Sequence, residues 1–488
     1  MELQLMLLRI RPILAALPAL AGLISVLPAA PPPVAAPEPA APGRTTQRIV
    51  CEADAQRSYA LYLPSGYVAD RAWPTVVLMD PRGRALIPLE LFRPAAERFG
   101  YILASSYDTA SDGPREPNER AVNAMLPDLQ RRFNIDRRRL YLAGFSGTAR
   151  AGWDFAHRLK GSVAGLIGLG AGLPPGFEPP RGTPVDFFGG AGTTDFNFEE
   201  LLALDARLDR TGMTHRIRFY GGGHSWPPEP ICSEALGWME LQAMRRGLRE
   251  ADPALIASLH EERMRQARTL EAAGELHEAR RAYSAIAEDF PPPADTGEAA
   301  RRVGELSRHK AVRRAESQLR HASSRRKAYE ARLSGFLESF AVASPPPDPP
   351  ESLRVLQIDR LKREAARIED DRLAAQAAIR LIEQVFVHVS FYEPMSFLAR
   401  GEAGRALAML KVADAIREDN PSVWYNMARS RAQIGQTAPA MEALERAVSL
   451  GIASADLLES DRYLEPLRGE PGYRALLARM RAAPPPAP

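Results

Sequence analysis

The segment from Leu140 to Arg150, LYLAGFSGTAR, constrains this chain more than any other. An apolar run suited to a buried strand leads straight into Gly144-Phe145-Ser146-Gly147-Thr148, and a helical pattern begins at once. A serine on so tight a strand-to-helix turn takes up a strained backbone, and small residues two positions to either side relieve the crowding. Gly144 meets that requirement. Thr148 departs from the glycine usual at the other position, although a threonine still enters the first turn of a helix. Such a turn lifts a side chain above the carboxyl edge of a sheet, so the chain around it should be built of strands and helices in alternation.

That alternation is present over residues 44–250. Short apolar runs at 59–62, 75–79, 101–104, 140–143, 163–169, 185–188 and 217–220 read as strands. Helical patterns at 121–133, 148–159 and 199–210 lie between them. The expectation is one α/β domain, a mostly parallel sheet with helices on both faces, closed by a last helix at 233–248. Strand patterning stops after Arg249. Residues 251–343 are helical in period and rich in Ala, Arg and Glu. A Pro-rich linker occupies 344–352, helices resume over 353–482, and a Pro-rich tail ends the chain at 483–488. The arginines of 296–342 read as a solvated helical face.

Within the helical part Gly401, Ala406, Leu410 and Ala413 recur 34 residues later as Gly435, Ala440, Leu444 and Ala447, with Trp424 and Ala428 in the helix between. This resembles a tetratricopeptide repeat, in which a glycine turns between two antiparallel helices and small residues let them pack closely. An earlier segment repeats the spacing from Ala267 and Leu270 through Gly274, Ala279 and Tyr283, while Pro394 interrupts the middle copy. The resemblance implies a protein partner held on the concave face. Repeats of this kind are stabilised locally. Residues 44–250 are therefore expected to fold and act without residues 251–488.

The chemistry follows from order. Asp195 lies on the loop after the strand at 185–188, and His224 on the glycine-rich loop after the strand ending at Tyr220. Serine, acid and histidine in this sequence, each beyond a strand, form a candidate catalytic triad of Ser146, Asp195 and His224. His157, in a helix, and His215, at a strand start, read as structural. Residues 45–250 resemble the α/β hydrolases, in particular the polyhydroxyalkanoate-depolymerase-like and dienelactone-hydrolase-like esterases. The resemblance rests on Gly144-Phe145-Ser146-Gly147, Asp195 and Gly222-Gly223-His224-Ser225-Trp226-Pro227-Pro228. It implies hydrolysis of an ester or related acyl bond and does not identify the substrate; a small-molecule or polymeric ester is expected, and no cofactor or metal.

Backbone N–H groups must then hold the oxyanion. Gly147 is the expected first donor. The second is expected on the loop Asp80-Pro81-Arg82-Gly83-Arg84, where similar enzymes carry a His-Gly pair. Pro81 has no N–H, which leaves Arg82. Arg82 and Arg84 either favour an anionic substrate or form a solvated loop, and Trp226 either lines the substrate pocket or packs in the core.

Arg9 and Arg11 precede an apolar stretch at 12–30 and an Ala/Pro spacer that ends at Gly43. Residues 1–43 thus read as a signal peptide or membrane anchor, and the protein as exported, periplasmic or secreted. A net charge of +3 over 488 residues gives no reason to expect nucleic acid. Cys51 and Cys232, the only cysteines, are either a disulfide or two buried thiols. The competing functional reading is a catalytically inactive hydrolase scaffold that works through its helical repeats.

Overall fold

The structure, a computed structural model, describes residues 40–159 and 161–482. Most of the export segment and the Pro-rich tail lie outside the described residues.

Eight strands form one sheet: β1 (Thr45–Val50), β2 (Ser58–Tyr62), β3 (Trp73–Met79), β4 (Ile102–Ser106), β5 (Ile135–Phe145), β6 (Gly165–Leu169), β7 (Asp186–Gly192) and β8 (His215–Tyr220). Their order is β1-β2-β4-β3-β5-β6-β7-β8. β2 pairs antiparallel with both β1 and β4, and the remaining pairs are parallel. Strands β2, β3, β4 and β7 are buried at every residue, as unbroken apolar or small-residue runs in a sheet covered on both sides should be. The strand order reverses at β3, which lies between β4 and β5. In open sheets that reversal leaves a crevice at the carboxyl ends of the strands.

Helices α1 (Leu86–Phe99) and α5 (Glu229–Arg245) cover one face. Helices α2 (Glu116–Arg132), α3 (Gly147–Arg158) and α4 (Phe198–Thr211) cover the other. Leu89, Phe92, Leu236 and Met239 share a core with Val76 and Leu78. Met125, Trp153, Leu201 and Leu204 share the opposite one with Val77 and Met79. All seven strands expected from the sequence are present, but β1 and α1 were not foreseen. β1 lies at the sheet edge and buries only Thr46 and Ile49, with a register irregularity between them. α1 carries Pro88 near its start and Pro94 inside, which masks its helical pattern. Cys51 and Cys232 are free thiols, each buried, in the cores on opposite faces of the sheet. Burial raises the Cys51 thiol to about 11.

From Pro253 onward the described residues are helical. The elements are α6 (Pro253–Ala272), α7 (Leu276–Asp289), α8 (Gly297–Ser307), α9 (Lys310–Val342), α10 (Pro349–Val355), α11 (Ile358–Ala365) and α12 (Arg372–Val387). A π-helical turn (His388–Tyr392) leads into α13 (Glu393–Ala399), α14 (Ala403–Ile416), α15 (Pro421–Gln433), α16 (Thr437–Ser449), α17 (Ala455–Ser460), a 3₁₀ turn (Arg462–Leu467) and α18 (Pro471–Ala482). The second half of the segment read as a Pro-rich linker is therefore the start of α10. Gly274, Gly401 and Gly435 each adopt a φ near +75°, between α6 and α7, α13 and α14, and α15 and α16, where the chain reverses and any other residue would be strained. No helix among the described residues is long and apolar enough to cross a membrane.

The π turn has a cause. Pro394 has no N–H, and inside an α-helix its ring would collide with the carbonyl four residues back, that of Ser390. The helix widens instead, with the Glu393 N–H bonding to the His388 carbonyl, and the Ser390 carbonyl accepts from the Asn426 side chain at 3.1 Å. The helical run thus continues from Arg372 to Ala399 and leaves Phe391 and Tyr392 38% and 36% exposed.

Residues 40–482 lie within one compact unit. The seam between sheet and helical regions is lined with ion pairs. Arg216 of β8 forks onto Asp289 at 2.8 and 2.9 Å, and Arg281 reaches Asp205 at 3.3 Å. Arg218 and Arg263 share Glu234, each at 3.0 Å. A cavity of about 270 Å³ opens along this seam among these same charges, and no triad residue lines it.

Candidate active site

Ser146 sits between β5 and α3 with φ 54° and ψ −127°, a strained conformation for any residue but glycine. Its N–H is anchored to the Leu169 carbonyl on β6 at 2.8 Å. A side chain at position 144 would come within 2.5 Å of the Thr148 carbonyl, so Gly144 is required by the turn. Thr148, the departure from the usual glycine, is fully buried. Its hydroxyl lies 2.6 Å from the Met79 carbonyl, to which it donates, and accepts from the Phe145 N–H at 3.1 Å. The side chain thereby ties the end of β3 to the end of β5, which explains how the turn accommodates it.

The three residues singled out by their order are brought together. His224 Nε2 lies 3.0 Å from Ser146 Oγ, and His224 Nδ1 lies 2.9 and 3.0 Å from the two carboxylate oxygens of Asp195. Asp195 is fully buried, and its Oδ1 also accepts from the Asn197 N–H at 2.8 Å. The imidazole lies between Phe145 and Phe196, with ring centres 4.7 and 4.3 Å away. The acid and histidine loops are laced together: Thr193 donates its N–H to the Tyr220 carbonyl, and Thr194 donates its N–H and hydroxyl to that of Gly222. A Cβ on Gly192 would meet the Gly222 carbonyl at 2.2 Å, so the glycines here permit that close approach.

The turn and the strand order are those of the α/β-hydrolase fold. The nucleophile turn follows β5, and the acid and histidine follow β7 and β8 at the same edge.

Gly147 opens α3, and among the described residues its N–H has no protein acceptor. It is the free donor beside the nucleophile. Arg82 differs from expectation. Its N–H is committed to Asp80 Oδ1 at 2.8 Å, which removes it as a free oxyanion donor in this geometry. Arg84 is likewise paired, its Nε and Nη2 each 3.0 Å from the Asp80 carboxylate, so its charge is neutralised rather than offered at the mouth. The same carboxylate accepts from Trp226 Nε1 at 2.8 Å, and the indole packs on Phe145 and Phe92. Trp226 is thus a half-buried anchor between the histidine loop and β3. Burial opposes ionisation of Asp80, yet the Arg84, Trp226 and backbone hydrogen bonds outweigh it and hold the carboxyl below its ordinary range.

Two contributions from the helical region were not foreseen. Arg380 of α12 reaches the acid loop, and Tyr392 Oη lies 3.4 Å from Asp112 Oδ1. Asp112 is held at φ 59° and accepts from the Ser111 hydroxyl at 2.7 Å. The Ser111 side chain abuts Gly147, since a Cβ on that glycine would come within 2.4 Å of it. Burial, with Asp112 beside it, raises the Tyr392 phenol to about 12.

The chain is similar to solved esterase structures over about two fifths of its length. It matches an S-formylglutathione hydrolase of Staphylococcus aureus at 12% identity and TM-score 0.31, over 38% of this chain and 90% of that one. A ferulic acid esterase matches at 14% identity and TM-score 0.35, over 40% and 96%. A Bacillus cereus carboxylesterase matches at 12% identity and TM-score 0.31, over 39% and 95%. No protein-family profile matches the chain, and no curated protein does.

Proposed function

We propose that the protein is an exported serine esterase that hydrolyses carboxylic esters through an acyl-enzyme on Ser146. The observation that carries this reading is the unbroken hydrogen-bonded relay from Ser146 Oγ through His224 to the buried Asp195. His224 Nε2 takes the serine proton as Oγ attacks the acyl carbon, then returns it to the leaving alkoxide. Asp195 holds the proton-bearing Nδ1 toward itself and stabilises the imidazolium. Water, activated by the same imidazole, frees the acid and restores the serine. The Gly147 N–H holds the oxyanion, a donor worth about 3–4 kcal/mol in the transition state.

Residues 1–43 direct export in this reading, and the helical region, with its tetratricopeptide-like spacing, docks a protein partner. One observation favours the rival reading of an inactive scaffold: the Arg82 N–H is occupied, so the second oxyanion donor expected on the loop after β3 is not free. A fluorophosphonate probe and a short-chain aryl ester separate the two. The wild-type protein should label and turn over the ester, and Ser146→Ala should do neither, with kcat down by roughly 10⁴-fold or more. Wild-type protein that neither labels nor turns over leaves the scaffold reading standing.

A further inference from the structure

Arg380 is 3% exposed although it carries a charge and comes from a helix outside the sheet region. Its Nε donates to Glu199 Oε1 at 2.7 Å, and its Nη1 donates to the Thr193 carbonyl at 2.7 Å. Its guanidinium lies 4.4 Å over the ring of Phe198. All three partners belong to the short stretch from the end of β7 into the first turn of α4, and Asp195 lies in the middle of it. The other side of that stretch is laced to the histidine loop through Thr193 and Thr194. Arg380 therefore ties the loop that carries the acid to the helical region. A cation of this kind is retained against a large desolvation cost because its fork meets two acceptors at once.

We infer that Arg380 is a positioning residue: the helical region completes the active site by clamping the Asp195 loop against the histidine loop. The inference rests on the triad reading above. The same helical run also contacts the loop beside Gly147 through Tyr392, roughly 18 Å further along its axis at 1.5 Å per residue. The helix thus touches both the acid loop and the loop beside Gly147. A π-helical turn between the two contacts, forced by Pro394, sets the rotation of its second half relative to the first. The sheet region holds every reacting group and the helical region holds them in register.

The test uses the full chain, with active sites counted by fluorophosphonate labelling and turnover followed with a short-chain aryl ester. Arg380→Met should lower kcat per labelled site by about 10- to 100-fold, as a small misplacement of a catalytic group does, with KM within about twofold. A loosened Asp195 supports the imidazolium less well, so the acid limb of the pH profile should move to lower pH. Arg380→Lys, which keeps the charge but not the planar fork, should recover part of kcat. Arg281→Met, which cuts a seam contact away from the acid loop, should lower Tm and leave kcat and the acid limb in place. An Arg380→Met protein with wild-type kcat and acid limb, whatever its Tm, overturns the inference and leaves the triad reading intact. If Arg380→Met does not fold, Glu199→Gln weakens the same clamp and is decided by the same two readouts. A wild-type protein that the probe does not label overturns the triad reading and this inference together.

Discussion

The sheet region and the helical region bury their apolar residues separately, and charge joins them. The two cores that flank the sheet draw only on residues up to Met239, and the large helical core runs from Tyr329 to Leu477. Between them an apolar junction of Leu241, Met244, Ile256 and Leu259 is small. Around it run arginine–carboxylate pairs: Arg216 on Asp289, Arg281 on Asp205, Arg263 on Glu234 and Arg380 on Glu199. Apolar burial is tolerant of how two surfaces meet. A buried ion pair is not, because a misaligned pair leaves uncompensated charge that costs several kcal/mol, while a well-made one adds little net stability. The seam therefore governs orientation more than it governs folding, and orientation is what a three-residue relay needs.

The largest test of that contrast is to separate the regions. Local patterning leads one to expect a 44–250 fragment that folds and retains esterase activity on small substrates. The seam predicts one that folds and labels but turns over at least about tenfold more slowly than the full chain, because Thr193 and Glu199 lose Arg380. Kinetics per labelled site decide it, and a fragment as fast as the full chain would dissolve the contrast.

A smaller effect isolates one seam pair and carries a pH signature. Burial disfavours the Glu234 carboxylate, but Arg263 and Arg218 overcome this and hold its carboxyl below the ordinary 4.5. A carboxyl that is more acidic folded than unfolded stabilises fully above the unfolded value and loses that contribution as the pH falls toward the folded one. Glu234→Gln should therefore cost roughly 3 kcal/mol at pH 7, with the gap from wild type steady down to about pH 5 and closing below it. Thermal melts across pH 3–7 measure it. A gap that widens on acidification would mean that the seam carboxylates are held by something other than these arginines.

The smallest test stays inside the sheet region. Thr148→Val keeps the shape but removes the hydroxyl that serves the Met79 carbonyl and the Phe145 N–H, at a cost of about 1–3 kcal/mol. Denaturant titration should show it, with no change at the helical seam. A neutral result would make Thr148 a mere substitute for glycine at the turn.

Much of the candidate site was legible because its signals are local. A strained serine needs Gly144 nearby, a glycine-rich loop follows each of the last two strands, and the order of serine, acid and histidine survives as linear text. The failures were failures of partnership. In a short loop where Pro81 has no N–H the spacing points to Arg82, and nothing in it says that Asp80 turns back to take the Arg82 N–H. β1 went unseen because an edge strand with two buried residues carries little pattern, and α1 because two prolines disguise it. Arginines of the long helical region that read as a solvated face include Arg326, which the structure places 4.0 Å from Glu199.

By itself, then, the sequence determined the periods, the breaks and the nucleophile turn, since each depends on residues within a few positions of one another. Tertiary structure alone decided that Arg380 answers a carbonyl 187 residues away and that Tyr392 reaches Asp112 from a turn widened by Pro394. Such contacts leave no period in the chain. A charged residue on an amphipathic helix has the same sequence pattern whether it meets water or a buried carboxylate, and only the packing of one region on the other distinguishes the two.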